Sequence, residues 1–409
     1  MYDWAVLWEW VEIAVRWLHV ITAIAWIGSS FYFIALDLGL HRDRNLASGA
    51  DGEEWQVHGG GFYHIQKYLV APASMPDHLV WFKWESYATW LSGFAMLVLV
   101  YYLGAELFLI DPTVMELSVW QAVAISLASL AFGWVVYNTL CKVFVNANQT
   151  LLMVALFVVL VGMAWFYTQV FSGRAAMLHL GAFTASIMSG NVFFIIMPNQ
   201  RIVVADLKAG RKPDPKYGKI AKQRSTHNNY LTLPVVFLML SNHYPLVFAT
   251  EWNWVIASLV FLMGVTIRHW FNTRHARKGN PHWTWGITVI LFLLIAWLST
   301  APMRVAEGEA MNQAALTYAS AEGFEDVVGI VQGRCSMCHA AEPAWEGLHW
   351  PPKGVVLETE AQIAHEARRI YLQSGVTHAM PPGNLSWMEP EEREAIVRWF
   401  RSAGISDPI

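Results

Sequence analysis

Charge is what this sequence has least of. Only 14% of its 409 residues are Asp, Glu, Lys or Arg, against about 25% in soluble globular chains. A chain that is also 55% hydrophobic and carries 22 Trp cannot present a wetted surface throughout, so a wholly soluble protein is excluded. The deficit is uneven. Residues 1–304 hold 16 of the 31 acids and 20 of the 27 bases, a net of +4, which leaves 15 acids and 7 bases, a net of −8, for residues 305–409. Two domains follow from that shift: an apolar body over 1–304 and an acidic, soluble tail over 305–409. A continuous basic face is absent, which argues against a nucleic-acid partner. Internal repeats are absent too. Cysteine is scarce, with three in all, and one of them, Cys141, lies in an apolar stretch.

What is abundant is long apolar runs. Eight of them lie near 11–36, 87–110, 119–141, 151–171, 176–197, 229–248, 253–272 and 283–303. Each is about 20 residues or longer, enough to cross a hydrocarbon core of ~30 Å as helix. Helix is required because an open strand in lipid leaves backbone groups unpaired. The predicted fold class is therefore all-α: a polytopic bundle of about eight membrane helices followed by a small helical domain. The first run is longer than a signal-peptide core, and Asp3, Glu9 and Glu12 stand where a basic leader would be, so it is expected to remain as an anchor.

Lys and Arg also avoid one side. The odd-numbered connections hold 16 of them, whereas the even ones hold only Arg174. The positive-inside rule then puts the odd connections in the cytoplasm and both termini, with the acidic tail, outside. Trp4, Trp8, Trp10, Trp252, Trp254, Trp283 and Trp285 near the run ends read as interface anchors. The cytoplasmic connections over 37–86 and 198–228 are long enough to be functional or disordered. The base-rich run 208–224 in the second reads as a topology signal that touches anionic membrane lipid.

The sharpest motif is Cys335-Ser336-Met337-Cys338-His339, the C-x-x-C-H pattern of covalent c-type haem attachment. Two thiols must reach the two vinyl groups of one porphyrin while the next imidazole ligates iron. A redox dithiol is the alternative, and a zinc site would need two further Cys or His at ligand spacing. Met380, in His378-Ala379-Met380-Pro381-Pro382, is the expected second axial ligand, held by a stiff Pro-Pro turn. Met388 competes but precedes a helix start at Glu389-Pro390-Glu391-Glu392. The run 390–403, with Ile396, Val397, Trp399 and Phe400, reads as an amphipathic closing helix. The tail thus resembles a class I cytochrome c domain, whose haem is attached outside the cytoplasmic membrane. That agrees with the topology read from charge.

Histidines in the apolar body fall at two levels, His19, His179 and His243 toward the outside and His58, His64, His78, His227, His269 and His275 toward the inside. Each singly is as often a hydrogen-bonded structural residue as a ligand, although ionisable groups in spans are usually functional. Electrons crossing a ~30 Å membrane need an intermediate carrier. One or two haem b groups are therefore expected, with His19 paired to His179 or His243 at the outer level and an inner pair drawn from His78, His227 and His269.

The runs His58-Gly59-Gly60-Gly61-Phe62-Tyr63-His64-Ile65-Gln66-Lys67-Tyr68, Trp81-Phe82-Lys83-Trp84-Glu85, Thr226-His227-Asn228-Asn229-Tyr230-Leu231-Thr232-Leu233-Pro234 and Ser241-Asn242-His243-Tyr244-Pro245, ahead of a C-terminal cytochrome, resemble the integral-membrane, cytochrome-c-linked urate oxidase (urate hydroxylase) family of bacteria. The resemblance covers all 409 residues. It implies oxidation of urate to 5-hydroxyisourate without direct peroxide production. Electrons would leave through the fused cytochrome to a respiratory terminal oxidase or a soluble cytochrome c. It also implies an inner-membrane, multi-pass protein with a periplasmic cytochrome domain; self-association is left open. A planar anion rich in amide-like edges calls for stacking aromatics, Arg or Lys, and Asn, Gln or His. The inner-face runs supply these, and His64, Lys83, Glu85, His227 and Asn228 are the catalytic candidates. The competing class is a non-catalytic electron-transfer subunit fed by quinol or a partner dehydrogenase. The long, polar cytoplasmic connections favour the enzyme.

The charge asymmetry is directly testable. A tag inserted near Gly210 is expected to be reachable only from the cytoplasm and one at the C-terminus only from outside. Reactivity of both from one side would contradict the eight-span topology.

Overall fold

The computed structural model describes residues 4–42, 45–68, 76–144, 148–299, 311–345, 348 and 351–404. Helices dominate, as the backbone accounting of apolar runs demands. In order they are α1 (Trp4–Gly39), α2 (Trp84–Met96), α3 (Ala105–Phe108), α4 (Val119–Val143), α5 (Gln149–Thr168), α6 (Gly173–Gly190), α7 (Met197–Lys208), α8 (Pro215–Ser241), α9 (Pro245–Phe248), α10 (Asn253–His275) and α11 (Trp283–Leu298). Helix occurs at all eight of the expected positions. Five helical stretches are long and apolar enough to cross a membrane: Val6–Gly39, α4, α5, Gly173–Lys208 and α10; α11 is apolar but shorter. The second run is interrupted, because α2 passes into a π-helical segment (Leu97–Tyr102) before breaking at Gly104. The sixth lies in α8, whose buried face includes Arg224, His227, Asn228 and Asn229. The expected boundary at 304/305 lies outside the described residues.

The all-α expectation needs one correction. Residues of the first long connection form an antiparallel hairpin, β1 (Ala50–His58) and β2 (Gly61–Tyr68), in register Trp55 to His64 and Gln56 to Tyr63. Its turn is made by Gly59 and Gly60, both at positive φ, where a Cβ would be strained. Both faces are largely wet or half-buried, so no clean apolar alternation marked it. Tertiary contacts hold it: His41 and Glu53 exchange backbone hydrogen bonds, Tyr32 Oη donates to Gln56 Oε1 at 2.7 Å, and Asp37 at the end of α1 pairs with Lys67 of β2 and, at 2.6 Å, with Lys222 of α8.

In the bundle α6 is the hub, packing on α4, α5 and α8, and most of its residues are buried. Close approach requires small residues at the crossings. A Cβ on Gly133 would stand 2.5 Å from the Phe183 ring, one on Gly190 2.5 Å from Trp134, and one on Gly264 of α10 2.5 Å from Pro234 of α8. Outward faces stay apolar, as at Trp17, Ile24, Val158 and Phe292.

The C-terminal domain packs α12 (Gln313–Ala319), α13 (Phe324–Arg334), α14 (Ser336–His339), α15 (Glu360–His365), α16 (Ala367–Ile370) and α17 (Pro390–Ser402) around Val327, Val331, Ile363, Met388, Ile396 and Trp399. The amphipathic closing helix forms as read. Its start is fixed by Pro390 at the first turn and a Glu389–Glu392 capping box, and Trp399 Nε1 donates to the Tyr318 carbonyl at 2.9 Å. This domain sits on the end of the bundle opposite the hairpin. Asn312 Nδ2 donates to the Glu106 carbonyl at 2.7 Å, Arg368 lies 3.8 Å from Glu12, the Arg369 guanidinium stands 4.8 Å over the Phe108 ring, and Arg174 Nη2 donates to the Lys353 carbonyl at 3.1 Å.

Gly264→Val should force α8 and α10 apart at the Pro234 crossing, a loss of about 1–3 kcal/mol typical of overpacking. It is expected to lower the thermal unfolding temperature in detergent. Gly162→Ala, whose Cβ would meet nothing within 4 Å, should leave that temperature unchanged.

Candidate functional site

Helix α8 threads the polar centre of the molecule. Asp214 caps it through the Lys216 amide at 2.9 Å with Pro215 at its first position. The 3.6-residue period then presents Arg224, His227 and Asn228 toward α4 and α6, and Asn229 toward α10.

On the first side Tyr137 Oη meets His227 Nδ1 at 2.8 Å and accepts from Asn191 Nδ2 at 2.9 Å. Asn191 also donates to Asn228 Oδ1 at 2.9 Å, and Asn228 Nδ2 donates to the Met188 carbonyl at 2.9 Å. Arg224 donates to Asn191 Oδ1 at 3.3 Å and Asn138 Oδ1 at 2.9 Å, with its guanidinium 4.9 Å over the Tyr137 ring. Tyr137 Oη and His227 Nδ1 thus share one hydrogen bond in which either group can be the donor, because the phenol oxygen can accept twice.

On the second side Arg268 of α10 donates to Asn229 Oδ1 at 3.2 Å and Asn272 Oδ1 at 3.0 Å, while Asn272 Nδ2 donates to Asn229 Oδ1 at 2.9 Å. The Arg268 guanidinium lies 3.9 Å from the Phe31 ring centre.

Both guanidiniums are buried, Arg224 at 3% exposure and Arg268 at 5%. Among the described residues neither forms an ion pair. Removing an ion from water costs several kcal/mol, and hydrogen bonds from a charged group return about 1.5–3 kcal/mol each. Amide oxygens and ring faces therefore hold the two cations without neutralising them. Arg224 Nε and Asn229 Nδ2 are buried with no partner among the described residues. Each side of α8 thus carries one buried guanidinium and one unpartnered donor, a pairing suited to an acceptor edge of an anion.

Of the catalytic candidates from sequence, the structure brings His227 and Asn228 together here. The other three lie elsewhere. His64 is on β2, stacked on Trp55 at 4.2 Å between ring centres and bonded through Nε2 to Glu53 Oε2 at 2.8 Å. Lys83 stands at the N-cap position of α2 with its Nζ 5.6 Å from the Trp84 ring centre, and Glu85 stands in the first turn of α2 with Oε2 buried and without a hydrogen-bond partner among the described residues. No hydrogen bond among the described residues joins these three to the α8 cluster. Sequence reading missed Tyr137, Asn138, Asn191, Arg224 and Asn272 as members. Tyr137-Asn138 and Asn191 each interrupt an apolar run, and a polar side chain at such depth was the available signal.

At the opposite end, Cys335, Cys338 and His339 lie on one helical turn. His339 Nδ1 meets the Val355 carbonyl at 2.9 Å, and since a carbonyl only accepts, Nδ1 carries the proton and Nε2 is free to ligate. The His339 carbonyl accepts from Leu357 N at 2.7 Å. Burial, reinforced by the neighbouring Cys338, pushes the Cys335 thiol up to about 11. The Met380 loop is pinned by Arg393, which donates to the Met380 carbonyl at 2.9 Å, the Ser374 carbonyl at 2.6 Å and Asn384 Oδ1 at 3.0 Å. Met388 is buried in the domain core. Two thiols, a proximal imidazole with a fixed tautomer and a held Met fit the donor set of c-type attachment.

The three outer-level histidines sit in different surroundings. His179 uses both nitrogens, Nδ1–H to the Ala175 carbonyl at 2.8 Å and Nε2 with Ser126 Oγ at 2.8 Å. His243 is exposed in the turn after α8. His19 donates through Nδ1 to the Thr89 carbonyl at 3.0 Å and has no partner at Nε2 among the described residues, its ring resting on Gly93. Among the described residues no cluster of three or more His, Cys, Asp or Glu could hold a metal ion.

Tyr137→Phe should strand His227 Nδ1 and one Asn191 donor in the interior. A loss of about 1–3 kcal/mol follows, visible as a lower unfolding temperature with unchanged helical circular dichroism. Equal stability of variant and parent would mean that the cluster is not closed as described.

No curated protein and no solved structure matches the chain. The family described as urate oxidase N-terminal matches residues 5–299, which takes in the bundle, the hairpin and every residue of the α8 cluster. The match spans well over half of the sequence, and this chain belongs to the urate oxidase N-terminal family.

Proposed function

We propose that this chain is an integral protein of the cell inner membrane that oxidises urate to 5-hydroxyisourate and passes the electrons outward to its own C-terminal domain. The carrying observation is the pair of buried, unneutralised guanidiniums on either side of α8, in a chain of a urate-oxidase family. Urate is a planar anion with carbonyl and N–H edges. Among the described residues, Arg224 supplies charge and its unpartnered Nε–H a donor, with His227 beside it on the same helix face; Arg268 and the unpartnered Nδ2 of Asn229 offer a second such set on the α10 side. An opposite charge about 4 Å from a guanidinium at an effective dielectric of ~20 gains about 4 kcal/mol, enough to draw the anion out of water.

The overall conversion is urate plus water to 5-hydroxyisourate, two protons and two electrons. Cys335, Cys338, His339 and Met380 would hold a c-type haem, which when bound accepts electrons singly for onward transfer. Val355 fixes the orientation of His339 and Arg393 holds the Met380 loop, so the chain itself sets that site's geometry. Because this route has an electron carrier, oxygen need not be reduced to peroxide at the urate site. An intermediate carrier across the ~30 Å core would be haem b, with His19, whose Nε2 has no partner among the described residues, as one ligand. The eight helical positions, the five membrane-length helices and the base-rich hairpin end support eight spans with the C-terminal domain on the periplasmic side. Membrane lipid surrounds the body, and a respiratory oxidase or soluble cytochrome c receives the electrons.

The test is anaerobic mixing of purified membranes with urate while the cytochrome absorbance is followed. Reduction by urate is expected, and Arg224→Gln should lower the rate at limiting urate about 10- to 100-fold, the worth of one charge-assisted contact. Dithionite should still reduce the variant fully. Reduction by quinol but never by urate would overturn the proposal in favour of an electron-transfer subunit.

A further inference from the structure

Arg174 is the one Lys or Arg in the even-numbered connections of the body, and nothing in the urate site uses it. The structure gives it a partner in the other domain. From the first turn of α6 its Nη2 donates to the Lys353 carbonyl at 3.1 Å. One residue on, Gly354 approaches α9 so closely that a Cβ would meet Pro245 Cγ at 2.8 Å. Next in the chain, the Val355 carbonyl accepts the Nδ1–H of His339 at 2.9 Å, and Leu357 N returns to the His339 carbonyl at 2.7 Å. A strap of seven residues, 351–357, therefore touches the membrane body with one stretch and fixes the proximal histidine with the next. The strap has few internal supports. Lys353 and Gly354 both adopt positive φ, and its only helical element is a single short turn, Pro352–Gly354.

We propose that Arg174 is a positioning residue for His339: by clamping the 351–357 strap onto the bundle it sets the strength of the Val355–His339 hydrogen bond. The electronic character of the proximal ligand then depends on whether the C-terminal domain is docked. The inference rests on the c-haem reading. A strong Nδ1–H bond to a carbonyl makes the imidazole a better donor and favours the oxidised metal. Releasing the strap weakens that bond, so the potential should rise. Other docking contacts, Arg368 with Glu12, Arg369 over Phe108 and Asn312 with the Glu106 carbonyl, involve no residue of the strap, although Arg369 lies within electrostatic reach of Arg174.

The experiment compares the full-length protein with Arg174→Gln, Lys353→Ala and Arg368→Gln, measuring covalent haem content, haem midpoint potential and the iron–histidine stretching frequency. In Arg174→Gln the potential is expected to move positive and the iron–histidine stretch to fall, with covalent haem content unchanged. Lys353→Ala keeps the backbone carbonyl and should match the parent. Arg368→Gln should also leave both readouts in place. A potential and stretching frequency in Arg174→Gln equal to the parent's would overturn the inference, as would equal shifts in Arg174→Gln and Arg368→Gln, which would mark general docking and not the strap. Absence of covalent haem from the parent protein would instead remove the reading on which the inference rests, and the inference with it.

Discussion

Everything in the body is arranged around the cost of holding charge in an apolar interior. Arg224 and Arg268 are buried where, among the described residues, no carboxylate pairs with them, and seven further polar side chains converge to make that tolerable. The same constraint explains α8. A helix carrying Arg, His and two Asn in sequence cannot face lipid, so it must run inside, with α4, α6 and α10 wrapped around it. Small residues at the crossings, Gly133, Gly190 and Gly264, let those helices close in. The exposed apolar faces of α1, α5 and α11 are the complement of that inward polarity.

The two ends of the bundle are specialised differently. At the hairpin end Asp37 ties α1, β2 and α8 together through Lys67 and Lys222, so the strand pair and the start of the polar helix are fixed to each other. At the far end the contacts are fewer and run between domains, through Arg174, Glu106, Phe108 and Glu12. A buried polar cluster with two guanidiniums in the body and a C-terminal domain docked at the far end make two chemically distinct parts of one chain. His179, fully buried between Tyr167 and Phe171 with both nitrogens bonded, sits between them as part of the packed frame.

Much of this was legible in residue order. Apolar length located the helices, because backbone groups in a water-poor interior have no other economical partner. That Cys335, Cys338 and His339 share a turn could be read from C-x-x-C-H, because local spacing alone sets which donors stand together. His227 and Asn228 could be named because they stand next to each other on one helix. What the sequence could not order was everything that depends on partners distant in the chain. The hairpin was hidden because its strands bury neither face cleanly, and its stability comes from α1 and α8. The pairing of His64 with Glu53 and its stacking on Trp55 came from the strand register and not from residue order. Tyr137 and Asn191 stand 90 and 36 residues before His227, respectively, and only the packing of α4 and α6 on α8 brings them within hydrogen-bond reach. Local chemistry is written in order along a chain, whereas the neutrality of a buried charge is decided by whatever the fold sets beside it.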